Sequence, residues 1–111
     1  VIPDPWTVWW ADLDPTEGHE QGGHRPVVVI SSPLHVRLTR GELVTVAPIT
    51  SRDRPTWLHR VPVVTPRGTS YVVAEQLRSI AVARLGDRPA WRLTPHEAAA
   101  VRQVLRRMVD F

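Results

Sequence analysis

The chain has 111 residues, 42% of them hydrophobic, which fits one globular domain over residues 1–111 and excludes a disordered chain. It contains no cysteine, so disulfides, thiol catalysis and thiolate metal sites are excluded, and a cytoplasmic setting is expected. The net charge is +3, carried by arginine with no lysine, and no apolar run approaches the ~20 residues of a membrane span.

Eleven prolines and six glycines break the chain at short intervals, a spacing that favours short strands over long helices. Residues 6–13 read as a first strand, apolar on both faces and therefore central or at a subunit contact. Residues 14–24 form a loop rich in acids, Pro and Gly. A second strand over 25–32 contains Val27-Val28-Val29-Ile30, and residues 33–42 are a polar connection of no evident form. A third strand covers 43–49 and is followed by the loop Ser51-Arg52-Asp53-Arg54-Pro55. Residues 57–64 alternate as a fourth strand, Pro66-Arg67-Gly68 is a turn, and 71–75 and 79–82 read as further short strands. A helix follows Thr94, with Pro95 at its first position and Glu97 three after the cap. Ala98, Val101, Leu105 and Met108 recur at helical spacing. The sum predicts a mainly β fold, a strongly bent sheet or small barrel with one C-terminal helix.

Charge is unevenly spread. Residues 1–24 hold five acids and no arginine, whereas residues 25–111 hold all fourteen arginines against six acids. A basic remainder of this kind suits a polyanion, because guanidinium stays charged, forks onto phosphate and stacks on bases. The loop ahead of Arg25 concentrates polar groups: Glu17, His19, Glu20, Gln21 and His24. Gly22-Gly23 lets the backbone turn sharply there, and Pro26 stiffens the entry into the next strand. Arg25 therefore sits at a fixed strand edge beside an acidic loop. Thr50 and Ser51 end the third strand, and antiparallel pairing permits them to share a mouth with Arg25. His19, Glu20 and His24 follow no zinc pattern, and no serine lies in a nucleophile elbow.

Val8-Trp9-Trp10-Ala11-Asp12-Leu13-Asp14-Pro15, followed by Gly18-His19-Glu20-Gln21-Gly22-Gly23-His24-Arg25-Pro26, resembles the opening of MazF/PemK toxins. Val46-Ala47-Pro48-Ile49-Thr50-Ser51 is similar to their second motif and Ala74-Glu75-Gln76-Leu77-Arg78-Ser79-Ile80 to their third. The chain departs from the pattern at Pro5-Trp6-Thr7 and at His19. The resemblance implies an SH3-like barrel, a homodimer and a toxin that cuts single-stranded RNA at specific sequences. It also implies cutting without metal or other cofactor, and neutralisation by a cognate antitoxin, expected to be a small acidic protein. By motif position the catalytic arginine falls on Arg25 and the catalytic threonine on Thr50, while Glu20 matches a loop acid and is the candidate base.

Around these, His19, Gln21, His24, Ser51, Arg52, Arg54, Trp57, Gln76 and Arg78 are candidate RNA contacts. For Arg52 and Arg54 the alternative is a solvated turn, for Trp57 the core. Glu75 and Gln76 are equally suited to satisfying buried polar groups. Trp6, Trp9, Trp10 and Trp91 are expected in the core or a dimer contact, and Arg102, Arg106 and Arg107 at a solvated helix end. Two other functions fit a barrel of this size: a non-catalytic nucleic-acid-binding module and a gyrase-directed toxin of the same fold, as in CcdB.

Overall fold

The computed structural model describes residues 2–14, 18, 22–52 and 59–110. Among them, strands β1 (Thr7–Asp12) and β2 (His24–Val29) precede helix α1 (Pro33–Leu38). Strands β3 (Leu43–Thr50), β4 (Arg60–Thr65), β5 (Gly68–Val73), β6 (Arg78–Ala81) and β7 (Trp91–Arg92) follow, and helix α2 (Pro95–Met108) ends the chain. All strand pairings are antiparallel along the path β4-β5-β3-β2-β1-β7, with β6 also on β3.

Strand β3 organises the sheet. Its centre pairs with β2, while on its other edge residues 43–46 pair with β6 and Ile49 and Thr50 pair with β5. A 3-10 turn over Ala74–Gln76 lies between β5 and β6. These two strands thus act as one interrupted partner of β3, and the interruption bends the sheet into a half-barrel. The bend explains why the first strands are apolar on both faces. Val8, Val28, Ala47 and Ile49 pack on one face with Val101 of α2. Trp9, Val27, Val29, Val44 and Val46 pack on the other with Val36 of α1. Each fully buried valine contributes about 1.5–3 kcal/mol.

The expected bent β fold with its C-terminal helix is present, and three local differences have clear causes. The connection over 33–42 contains α1, because Ser32 caps it by accepting from the His35 N–H and Pro33 starts it. Trp6 does not begin β1; it sits at φ +67°, a conformation rare for a bulky side chain. Its N–H donates to Val29 O at 2.7 Å, its carbonyl accepts from the Leu93 N–H at 2.9 Å, and the Arg102 guanidinium lies 4.8 Å from its ring centroid. Arg102, expected at a solvated helix end, is therefore a cation over an aromatic face. Finally, residues 85–92 run along the outer edge of β1 and add β7, covering an edge that would otherwise be open.

One side chain hydrogen-bonds the start of helix α2 to the sheet. Thr94 Oγ1 accepts from the Glu97 N–H, and Glu97 Oε1 accepts from the Thr94 N–H, closing the capping box anticipated from the sequence. Glu97 Oε2 also accepts from the Val64 N–H of β4 at 2.7 Å. Glu97→Ala is expected to lower unfolding stability by about 1–2 kcal/mol, since it loses a cap and an inter-element bond together. Urea denaturation followed by circular dichroism measures this, with Thr94→Ala expected to be the milder change.

Candidate active site

Strand register brings the two leading candidates together. Val27 opposes Pro48 and Val28 opposes Ala47. That pairing ends two residues short of Arg25 and Thr50, which continue the two adjacent strands toward the same end of the sheet. Both line one cleft of about 690 Å³. Arg25, half-buried, and Thr50, buried, are taken as its floor, at the beginning of β2 and the end of β3.

The base of the loop before Arg25 is closely tied. The Leu13 N–H donates to Gly23 O at 3.0 Å, and Asp14 Oδ1 accepts from the Gly23 N–H at 2.9 Å. Gly23 sits at φ +74°, in the region that favours glycine. Arg84 Nη1 donates to the carbonyls of Asp14 (2.9 Å) and Asp12 (3.4 Å), clasping the strand that enters the loop. Within this frame Arg25 Nε donates to Gly22 O at 2.7 Å, which fixes the plane of the guanidinium. Partial burial lowers the pKa of Arg25 from its ordinary value, and the charge of Asp14 opposes that shift. The group remains a cation at neutral pH, partly stripped of water and hence a stronger partner for an anion.

Thr50 is 6% exposed, and its Oγ1 accepts from the Arg52 N–H at 3.2 Å. Its own proton is then directed elsewhere and can serve an oxygen in the cleft. The Arg52 carbonyl accepts from Arg60 Nη1, and Arg60 Nε lies 3.3 Å from Glu75 Oε1. The Arg60 side chain is 3% exposed, so this pair is an internal brace under the end of β3. Glu75 is accordingly engaged in structure.

The cleft walls come from both ends of the sheet path. The β4–β5 hairpin supplies Thr65, Pro66, Arg67, Thr69 and Ser70, and the β7 edge supplies Ala90 and Trp91. Trp10 of β1 stacks on His24 with centroids 5.3 Å apart and planes 14° from parallel.

Of the expected site residues, Arg25, Thr50, His24, Ser51 and Arg52 share this cleft. Gln76 and Arg78 do not line it: Gln76 is in the 3-10 turn, and Arg78 pairs with Val46 along β6. His19, Glu20, Gln21, Arg54 and Trp57 lie outside the described residues. Trp91 packs against the core as expected. Trp10 and Trp91, expected in the core or a dimer contact rather than as ligand platforms, also line the cleft. So do the hydroxyls and arginine of the β4–β5 hairpin, whose Pro-Arg-Gly sequence signalled only a turn. Among the described residues no group of three His, Asp or Glu side chains is placed to hold a metal ion, and no helix is long and apolar enough to cross a membrane.

The Arg84 clasp predicts a local effect. Arg84→Ala is expected to speed amide exchange at Gly23 and Leu13 about tenfold, equivalent to ~1.4 kcal/mol of lost closure, without changing global stability comparably. Hydrogen exchange by NMR measures it, and unchanged protection at Gly23 would contradict the clasp.

The chain and its fold are similar to known proteins. The chain is 36% identical over 112 residues to the endoribonuclease MazF9 of Mycobacterium tuberculosis, covering 93% of this chain and 92% of that one. The structure superposes on MazF from Deinococcus radiodurans with a TM-score of 0.82 at 28% identity, covering 97% and 96% of the two chains. A MazE–MazF complex from the same organism gives a TM-score of 0.73 at 27% identity, with the same coverage. A family model described as PemK-like, MazF-like toxin of type II toxin–antitoxin system matches residues 4–109. With nearly its whole length matched, the chain belongs to the PemK-like, MazF-like toxin family.

Proposed function

We propose that this chain is a toxin that cuts single-stranded RNA at specific sequences, using the RNA's own 2′-hydroxyl and no metal ion. The observation that carries the reading is the shared floor of Arg25 and Thr50 in a cleft bordered by aromatic rings, hydroxyls and further arginines. The 2′-oxygen forms a bond to the adjacent phosphorus, and the bond to the 5′-oxygen breaks. The products are a 2′,3′-cyclic phosphate and a 5′-hydroxyl once the leaving oxygen takes a proton from water, the base returning its own proton to solvent. Negative charge grows on the non-bridging oxygens as the phosphorus becomes five-coordinate. Arg25 holds that charge, because a guanidinium oriented by the Gly22 carbonyl and partly desolvated needs little rearrangement at the moment of reaction. Thr50 donates its hydroxyl proton to one of the same oxygens. Glu20 takes the 2′-hydroxyl proton in this reading, while His24, stacked on Trp10, forms a surface against a base.

Ser51 and Arg52 extend the floor toward neighbouring nucleotides, and His19, Gln21, Arg54 and Trp57 complete the contacts in this proposal. The chain acts as a homodimer and is neutralised by an acidic antitoxin whose disordered tail folds onto the basic surface. The net charge of +3 and the existence of a Deinococcus MazE–MazF complex support that partner.

Incubation with long single-stranded RNA in EDTA tests the reading. Discrete fragments ending in 2′,3′-cyclic phosphate are the expected result. Arg25→Ala and Thr50→Ala should each cut at least ~100-fold more slowly, the size of one lost transition-state donor, with circular dichroism unchanged. Full activity in Arg25→Ala would sink its assignment. Intact RNA with retained binding would identify a non-catalytic barrel, and gyrase poisoning without RNA loss would identify a gyrase toxin.

A further inference from the structure

We infer that Arg67, on the β4–β5 turn, is a second phosphate-binding group that grips a nucleotide flanking the one cut at Arg25 and Thr50. The inference rests on the ribonuclease reading above and extends it to how the strand is held.

An arginine on a turn is ordinarily a solvated charge, so its placement has to decide. Arg67 lines the same cleft as Arg25 and Thr50. Thr50 pairs with Tyr71, and the hairpin continues through Ser70 and Thr69 to Gly68, three residues past the end of β3. At about 3.3 Å per residue, its tip overhangs the catalytic level by roughly 10 Å. Arg67 is therefore offset along the cleft and addresses a different phosphate from the one on the floor.

The presenting turn is also rigid. Thr65 Oγ1 accepts from the Arg67 N–H at 3.1 Å and donates to Gly68 O at 2.8 Å. Pro66 fixes its own φ, and Gly68 takes φ +109°, which closes the two-residue turn. Among the described residues no hydrogen bond or acid occupies the Arg67 guanidinium, unlike Arg60 on Glu75 or Arg84 on the loop carbonyls. A charged fork on a fixed turn, beside the hydroxyls of Thr69 and Ser70, is suited to a phosphodiester.

Two measurements on wild type and Arg67→Gln test this. The first is binding to a short 2′-O-methyl RNA of mixed sequence, which lacks the attacking hydroxyl, across a range of salt. The expected result is weaker binding and a slope of log K against log salt shallower by about 0.7, the share of one phosphate on a single strand. A change in folding alone would not move that slope by one phosphate. The second scans single methylphosphonate replacements through a cleaved RNA. One replacement flanking the cut should lower wild-type kcat/KM about tenfold and have no further effect in Arg67→Gln. An unchanged salt slope, or replacements that all add independently to Arg67→Gln, would overturn the inference. If wild type cuts no RNA, the nuclease reading fails, and the salt slope still decides whether Arg67 holds a phosphate.

Discussion

A strand can shift along its neighbour by one residue only by turning every side chain to the opposite face, so β2 and β3 admit a single workable register. Val27 and Val29 must enter one core and Val28 the other, and β3 matches them with Val46 and Ala47. With two cores to satisfy, the pair is held from both sides. Arg25 and Thr50 lie at the open end of that ladder. Their place at one cleft follows from strands held by the packing of valines several residues away, and this is how apolar burial sets the geometry of polar chemistry.

The same ladder leaves a cation partly removed from water, which is unfavourable unless dipoles replace the lost solvent. The loop base supplies them. Gly22 offers its carbonyl to Arg25 Nε, and Asp14 supplies negative charge while anchoring Gly23. Arg84 holds the carbonyls of Asp12 and Asp14 from the other side. Asp14 and the chain's first basic residue thus belong to one electrostatic unit. The Asp12-Leu13-Asp14 run reads as the device that makes a desolvated arginine tolerable.

Much of this was legible in the sequence because local chemistry and tertiary structure agree. Thr94-Pro95-His96-Glu97 marks a helix start by capping alone, and the helix begins there. Val27-Val28-Val29 has no alternation because the bent sheet buries both faces. Helix α1 carries a related signature, Ser32 before Pro33, but it is only six residues long and buries Val36 alone, too little to give a helical period. The Trp6 turn was hidden because a tryptophan ahead of apolar residues looks like strand, and its φ is held by contacts with Val29, Leu93 and Arg102. Arg25 and Thr50 could be joined from motif order and strand direction. Trp10, Trp91 and the 65–70 turn could not, since their meeting depends on how far the sheet curls. Glu75 and Arg78 sit in a motif that pointed to the site, yet Glu75 braces Arg60 and Arg78 pairs along β3.

That curl separates two tasks in space. The floor is made by strand ends whose positions are fixed by the cores, and it holds the residues assigned to bond breaking. The walls are made by the β4–β5 turn and the β7 edge, segments from the two ends of the sheet path. Arg67 is exposed, so changing it disturbs little packing, whereas Trp91 packs against the core and changing the valines beneath Arg25 would disturb the register. Exposed wall residues can therefore alter which strand is gripped while the reaction geometry stays constant. An arginine-only basic set suits that division: each guanidinium gives direction as well as charge, so its effect depends on the element that aims it. On the floor the aim comes from the Gly22 carbonyl, and on the wall from a turn locked by Thr65 and Pro66.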